Sequence, residues 1–303
     1  TVVTALLFDT IAIPSVRRKL QINDRHARRQ DILTLFPCVY FSPDDLDIVK
    51  GSSGVRRKFI DSILSRQDTV YARVLSRYND TVSRRNMILK KVGFDSSWAR
   101  TLEALDQLVV KLGSELLYKR LLLIEDLSGF TRSVYRFIAG NDCVVTYQPT
   151  VGTIPPDLET IRLKFRSKLK QVKEDEIARG MTLIGPHRDE MVISFNDKAF
   201  KTFRYFGSQG QQRSMVLALK MAEARCLERS FKTKPIILLD DVFSELDSDK
   251  RSKVLSLCDF GYQVLMTSTE LPKDTGPKFS LFEVKDNGVH LLPNRQIRKE
   301  GWV

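Results

Sequence analysis

The chain has 303 residues, 42% hydrophobic and 28% charged, enough for one large or two ordinary domains with a sizeable core. No apolar run approaches the ~18 residues of a membrane span. The opening Thr1-Val-Val-Thr-Ala-Leu-Leu-Phe8 lacks the basic flank of a signal peptide, so a cytoplasmic protein with no membrane partner is expected. The net charge is +12, and residues 1–100 hold 18 Lys and Arg against 10 Asp and Glu, which favours a polyanionic partner, nucleic acid first. Each basic cluster taken alone also reads as a solvated face. Cys38, Cys143, Cys226 and Cys258 are dispersed among only three histidines, which argues against a zinc site or a disulfide framework.

Residues 5–8 and 19–22 have strand character around a loop, Asn23-Asp24 supplies turn chemistry, and 37–41 is a short apolar run beside prolines. From about 52 to 142 the period becomes helical. Phe59, Ile60, Ile63 and Leu64, then Val70, Val74, Leu75, Tyr78 and Val82, then Leu102, Leu105, Leu108, Val109 and Leu112 fall at amphipathic spacing. Gly93 and Gly113 are candidate breaks. A turn at 140–142 leads to a strand at 144–147. Residues 158–177 read as one charged helix whose basic residues run around it rather than along one face. Residues 191–195 and 199–203 flank Asn196-Asp197 as a hairpin, 264–267 reads as a buried strand, and 281–284 and 289–292 flank Asp286-Asn-Gly288 as a second hairpin.

The segment Pro235-Ile-Ile-Leu-Leu-Asp-Asp-Val-Phe-Ser-Glu-Leu-Asp247 carries the strongest chemical signal. Four aliphatic residues read as a strand buried on both faces of a parallel sheet. Two carboxylates at its end are unfavourable unless a partner offsets their desolvation, and a hydrated Mg²⁺ with its phosphates is the usual one. This is the Walker B pattern of a P-loop ATPase; the bland alternative is a charged strand end without metal. Asp240 is the candidate Mg²⁺ ligand, through water. Asp241 stands where most ABC-type ATPases have a glutamate that orients or activates the attacking water, and its shorter side chain leads us to expect slow hydrolysis. Ser244, Glu245 and Asp247 form a candidate D-loop, expected to cross a dimer interface.

Upstream, Ser208-Gln-Gly-Gln-Gln-Arg213 precedes a long helix from Met215 to about Leu227. Small and polar residues at a helix start aim backbone N–H groups at an anion. Ser208 suits a cap and Gly210 permits close backbone approach. Alone this reads equally as an ordinary capped helix. Followed about 25 residues later by the Walker B strand, it has the order and spacing of an ABC signature loop. There the signature serine and glycine reach the γ-phosphate held by a partner subunit, which makes Ser208, Gln209, Gly210 and Gln211 candidate nucleotide contacts in trans. Thr267-Ser-Thr-Glu270 follows the next strand, where a switch histidine would stand, and Thr269 aligns best with it. A hydroxyl can bond a phosphate oxygen but cannot act as an imidazole. His187 and Arg188 follow Gly185-Pro186, a turn that presents Arg188 to phosphate or DNA, or one whose arginine pairs with Asp189 or the Walker B acids. Arg56, Arg57, Lys58, Arg84 and Arg85 join Arg188 as candidate DNA contacts. Residues 41–45 fit a Q-loop linking two lobes, or equally a helix N-terminus with Asp44 and Asp45 favouring its dipole.

Phe41-Ser-Pro-Asp-Asp-Leu46, Thr182-Leu-Ile-Gly-Pro-His-Arg-Asp189, Gly207-Ser-Gln-Gly-Gln-Gln-Arg213 and the Leu-Leu-Asp-Asp Walker B resemble the RecF family of bacterial recombination and gap-repair ATPases, related to the SMC heads. Residues 51–61, with Arg56-Arg57-Lys58-Phe59, fit as well, so the resemblance runs over nearly the whole chain. It implies an α/β, ABC/SMC-type P-loop ATPase head with an inserted helical lobe. Residues 1–50 and 179–303 would form the ATPase lobe and 51–178 helical lobe II. It also implies ATP and Mg²⁺ as cofactors, head-to-tail dimerisation on ATP, and binding to gapped or junction DNA. Cooperation with RecR and RecO to load RecA belongs to the same expectation.

One departure stands out. No Gly-x-x-x-x-Gly-Lys-Ser/Thr occurs in these 303 residues, and Gly51-Ser-Ser-Gly54 lacks both the lysine and a preceding strand. RecF proteins carry that loop near the N-terminus, upstream of the matching segments. The expectation is therefore a head incomplete at its N-terminus, supplying signature and Walker B residues only, with ATP hydrolysis by this chain left open. The rival readings are a non-hydrolysing DNA-binding or scaffold module without a P-loop, and a transporter-type nucleotide-binding subunit. The Gln-rich signature, the missing switch histidine and the basic helical lobe argue against the second.

Overall fold

In the computed structural model, residues 4–9, 17–22, 25–26, 37–92, 95–196, 201–243, 246–257, 261–269, 279–285 and 288–292 are described. The chain packs as two units, Thr1–Thr267 and Ser268–Val303. In the first unit, β1 (Thr4–Asp9), β2 (Arg17–Ile22) and β3 (Arg25–His26) form an antiparallel sheet in sequence order. The strands expected at 5–8 and 19–22 are thus paired, while Asn23-Asp24 lies outside the described residues.

The sheet that matters for function is parallel. Its strands are β4 (Cys38–Phe41), β7 (Ile236–Leu239) and β8 (Val264–Met266), in the order β4-β7-β8. Phe41 is in register with Leu239, and Leu239 with Met266, so all three strands end at one edge. In β7, Ile237 and Leu239 are buried and Ile236 and Leu238 half-buried, so one face is less covered than a run of four aliphatics suggests. The remaining strand pair is antiparallel, β5 (Cys143–Gln148) with β6 (Glu190–Phe195).

After β4 the chain makes a 3-10 turn (Pro43–Leu46) and a single α-turn, α1 (Asp47–Lys50), before the helical region. That region holds α2 (Ser53–Gln67), α3 (Thr69–Val92) and the 41-residue α4 (Ala99–Ala139), which ends at Gly140 with φ +70°. Glycine takes that left-handed cap without a Cβ penalty. Helix α4 is the central pillar, packed on α3, on β5, on α5 (Leu158–Gln171) and on α8 (Gln209–Phe231). Its core face includes Leu102, Val109, Leu116, Leu117, Leu127 and Tyr135. Helix α8 is buried on nearly every side from Gln212 to Leu227, which is why its sequence shows little amphipathic contrast.

Two local expectations are corrected. Gly113 does not break a helix: it lies within α4, where a Cβ would sit 2.5 Å from Phe165 Cε1 and 3.0 Å from Tyr78 Cε2. The glycine lets α3, α4 and α5 approach closely. Gly93 lies outside the described residues. The single helix expected over 158–177 is two, α5 and α6 (Lys173–Arg179), joined at Val172, whose φ of −95° and ψ of 4° leave the helical region. Of the hairpin expected at 191–203, residues 197–200 lie outside the described residues; the described ones turn back through the bridge Ser194–Thr202 and the bond from Phe195 N–H to the Lys201 carbonyl at 3.0 Å, before α7 (Phe203–Phe206) begins, while β6 takes β5 as its ladder partner. Phe203 is fully buried, stacked on Phe195 with centroids 3.8 Å apart, so it packs as a helix start rather than pairing as a strand.

Buried charge ties the helical region to the loop before β6. Arg85 is fully buried and donates to Glu176 Oε2 at 2.6 Å, Asp106 Oδ1 at 2.7 Å and Thr182 Oγ1 at 2.9 Å. Arg120 donates to Asp61, to Tyr147 Oη at 2.9 Å and to the Pro186 carbonyl at 2.6 Å. Such groups are tolerated in a core only when their hydrogen bonds are met. After β7 follows α9 (Ser248–Leu257). In the second unit, β9 (Phe282–Lys285) and β10 (Gly288–Leu291) form the expected antiparallel hairpin. Among the described residues no helix is long and apolar enough to cross a membrane. Cys38, Cys143 and Cys226 are free thiols, and Cys258 lies outside the described residues.

Candidate functional site

The strand ends of the parallel sheet gather the chemistry. Asp240 and Asp241 follow β7 directly, where ligands of open α/β sheets bind, outside the carboxyl ends of the strands. Asp240 is fixed from both neighbouring strands. Its N–H donates to the Phe41 carbonyl at 2.9 Å, the Tyr40 hydroxyl donates to its Oδ2 at 3.2 Å, and the Thr267 hydroxyl donates to its Oδ1 at 2.5 Å. The Thr267 oxygen also accepts the Asp241 N–H at 3.2 Å. Asp241 has φ +47°, a left-handed conformation in which aspartate is enriched among side-chain-bearing residues. Its carbonyl accepts from Arg213 Nη1 at 3.0 Å, so both backbone groups of this unusual turn are satisfied.

The edge is acidic. Slight desolvation, then the hydrogen bond and charge of Asp240 and the charges of Asp45 and Asp44, push the phenol of the exposed Tyr40 up from its ordinary value. Asp240 and Asp241 are half-exposed oxygen donors of the kind a hard cation takes. Among the described residues no three His, Cys, Asp or Glu side chains gather as a metal cage. One or two carboxylates completed by phosphates and water is the mode Mg²⁺ favours, so the residues present fit that ion.

Ser208 caps α8 through a reciprocal box: Gln211 N–H donates to Ser208 Oγ at 3.3 Å and Ser208 N–H to Gln211 Oε1 at 2.9 Å. The Ser208 hydroxyl proton stays available to an acceptor outside. Ser208 and Gln209 are exposed and Gly210 half-buried, so the positive end of a 23-residue helix faces outward. Arg213, one turn along, connects this cap to the Asp241 turn.

Ser42 caps the 3-10 turn with Asp45 returning the bond to Ser42 N at 2.8 Å, the helix-start reading of this segment, at the end of the strand next to β7. Asp45 also faces Lys220 Nζ of α8 at 3.8 Å; Lys220 pairs with Glu223 at 3.0 Å, and Glu223 in turn with Arg66 of α2. The segment after β4, α8 and the helical region thus share one ion network.

The other candidates separate. Ser244 and Glu245 lie outside the described residues. Asp247 caps α9, accepting the Lys250 N–H at 2.9 Å, with its carboxyl held below the usual range chiefly by Lys250. Thr269 is exposed and belongs to the second unit. Arg56 and Arg85 are corrected as DNA contacts: Arg56 is turned inward onto Glu190 at 2.7 and 2.9 Å, and Arg85 is buried on Glu176. Arg57 is half-buried and donates to the Asp189 carbonyl at 2.8 Å, while Lys58, Arg84 and Arg188 are exposed. Asp189 is not paired with Arg188 but accepts from Tyr147 at 2.9 Å and from Thr150 at 2.7 Å. His187 bonds Tyr78 Oη at 2.8 Å and the Thr182 carbonyl at 3.3 Å, which makes it a structural histidine of this turn.

Tyr40, Thr267 and Arg213 were not singled out by sequence reasoning. The signal for Thr267 was its register: it follows β8 as Asp240 follows β7.

No family model matches the chain. The DNA replication and repair protein RecF of Heliobacterium modesticaldum is 38% identical over 266 residues, spanning 86% of this chain and 70% of that protein. RecF of Synechocystis sp. is 36% identical over 270 residues, with the same coverage. RecF of Halothermothrix orenii is 34% identical over 281 residues, 90% of this chain and 74% of the relative. Structures of the recombination mediator protein RecF of the RecFOR pathway, one with ATP and one with ATPrS, superpose with a TM-score of 0.76 and 28% identity over 92% of this chain and 74% of theirs. The parallel-sheet edge with its two aspartates and the capped start of α8 therefore sit in a RecF fold, and the chain belongs to the RecF family of DNA replication and repair proteins.

Proposed function

We propose that the protein is an ATP-responsive DNA-binding protein of recombinational gap repair. Two protomers would sandwich ATP head to tail, Ser208 and Gly210 of one facing the phosphates held by the other. Asp240 would hold Mg²⁺ through water, and the ion supplies charge neutralisation on the phosphates. Asp241, with its backbone fixed by Thr267 and Arg213, would orient the attacking water. DNA contacts would fall mainly on backbone phosphates, with Arg57, Lys58, Arg84 and Arg188 as the accessible candidates. RecR, RecO and RecA as partners, the D-loop role of Ser244, Glu245 and Asp247, the switch role of Thr269, and the lobe division 1–50, 51–178 and 179–303 belong to the same proposal.

The observation that carries it is the coexistence of an outward, capped signature helix and a strand-end aspartate pair, joined by Arg213. The test is the affinity of the full-length protein for gapped duplex DNA with and without ATP and Mg²⁺. ATP tightens binding by at least tenfold in the unmodified protein and has no effect in Asp240→Ala. Equal affinity with and without ATP in the unmodified protein would favour the second reading, a DNA-binding scaffold. That reading draws on the lack of a Gly-x-x-x-x-Gly-Lys-Ser/Thr motif in these 303 residues.

A further inference from the structure

Helix α3 has two faces of opposite character. Tyr71, Tyr78, Val82, Arg85 and Leu89 point inward. The outward face carries Arg73, Arg77, Arg84 and Lys91, all exposed. At 3.6 residues per turn these four fall within about 40° of one another, and they span about 27 Å of helix. Asp80 is the one acid on the same line. None of the four is ion-paired with a described residue, whereas the adjacent Arg85 is fully neutralised inside. Lys91 rests on Trp98, 4.3 Å from the ring centroid, which holds the end of the line in place. Like charges at one-turn spacing, as at Arg73 and Arg77, oppose helix formation. Asp80, three residues after Arg77 and four before Arg84, offsets part of this, and the net positive line that remains suits an external polyanion.

We infer that this line on α3 is a track for the sugar–phosphate backbone of duplex DNA. The inference rests on the DNA-binding reading above and adds a surface to it. The length of the line matches about eight base pairs, and its cations, about 6 to 10 Å apart, are spread to meet several phosphates along the duplex rather than a single anion. Between Arg73 and Lys91 the exposed large apolar residue is Met87, with no exposed aromatic to stack unpaired bases, which favours a duplex over a single strand. Arg73, Arg77 and Lys91 join Arg84 as contacts, and no base-specific group lies among them.

The test compares two four-fold variants of the full-length protein, Arg73→Gln/Arg77→Gln/Arg84→Gln/Lys91→Gln on α3 and Arg162→Gln/Arg166→Gln/Lys168→Gln/Lys170→Gln on α5. Both remove four positive charges. Duplex affinity is measured from 50 to 300 mM salt, roughly the range over which backbone contacts show a slope of about −0.9 per phosphate. The α3 variant is expected to bind at least 100-fold more weakly at low salt, with a slope shallower by about three, while the α5 variant changes less than tenfold. Equal losses in the two variants, or an α3 variant that loses single-strand binding while keeping duplex binding, would overturn the track. If the unmodified protein itself binds no DNA, it is the functional reading that fails. Unchanged thermal unfolding confirms that the variants are folded.

Discussion

Asp240 and Asp241 show how a few atoms around a motif decide its geometry. The two carboxylates are legible as a strand end, but what aims them is not. Thr267 spends its proton on Asp240 and its lone pair on the Asp241 N–H, so one hydroxyl sets both residues. That relation depends on parallel register between β7 and β8, which no local pattern reports. Spacing after a strand marks Thr269, but spacing does not report that the Thr267 hydroxyl meets Asp240. His187 went the other way: a titratable ring beside an arginine looked functional, yet burial first, and then the charges of Arg188, Arg57 and Arg120, bring its pKa down to about 4 against the bond to the Thr182 carbonyl. Since that carbonyl can only accept, Nε2 carries the proton and Nδ1 accepts from Tyr78. The folded pKa lies below the ordinary 6.5, so the unfolded chain takes up a proton first as the pH falls. The ring's contribution is therefore full above pH 6.5 and is lost progressively down to about pH 4, by about 3 kcal/mol. Asp189 and Glu176, whose carboxyls burial raises, act in the opposite sense. The clean readout is thus the difference in unfolding free energy between the unmodified protein and His187→Gln. That difference should shrink between pH 6.5 and 4, and a pH-independent difference would contradict the assignment.

At the scale of elements, apolar periodicity located the helices well because α2, α3 and α4 each bury one stripe against their neighbours. It located their interruptions poorly. Gly113 looked like a break and is instead a contact, because only its missing Cβ lets the Phe165 ring approach. Val172 interrupts the helix expected over 158–177 without any glycine or proline to announce it. Phe203, expected at the end of a strand, instead starts a helix, its ring buried against Phe195 and Tyr135. Arginine content misled in a similar way: Arg84 and Arg85 are neighbours in sequence and opposites in structure. Arg85→Ala leaves Glu176 buried without its cation and should cost about 3–5 kcal/mol. Arg84→Ala should change stability by less than about 0.5 kcal/mol while weakening DNA binding. Urea midpoints of the two variants check the first half of this contrast; similar losses in both would contradict the two-faced description of α3.

At the scale of the whole molecule, the family was legible because its motifs sit where local chemistry is most constrained: the segment after β4, the turn at Gly185-Pro186-His187-Arg188, the α8 cap and the β7 end. The turn is constrained by packing, since a Cβ at Gly185 would collide with Tyr78 Oη and His187 is bonded to Tyr78 and Thr182. Three of these motifs are joined physically through Asp45, Lys220 and Arg213, so a change at the sheet edge reaches α8 and, through Glu223, α2. The central claim is that the capped N-terminus of α8 meets nucleotide held by a second protomer. Sedimentation velocity of the full-length protein with ATP, Mg²⁺ and gapped DNA tests it most directly, with Ser208→Arg as the comparison. An ATP-dependent dimer is expected for the unmodified protein and a monomer for Ser208→Arg, whose bulk and charge block the exposed helix end without disturbing the buried remainder of α8. Dimerisation of Ser208→Arg to the same extent, or an unmodified protein that stays monomeric with ATP, would contradict it.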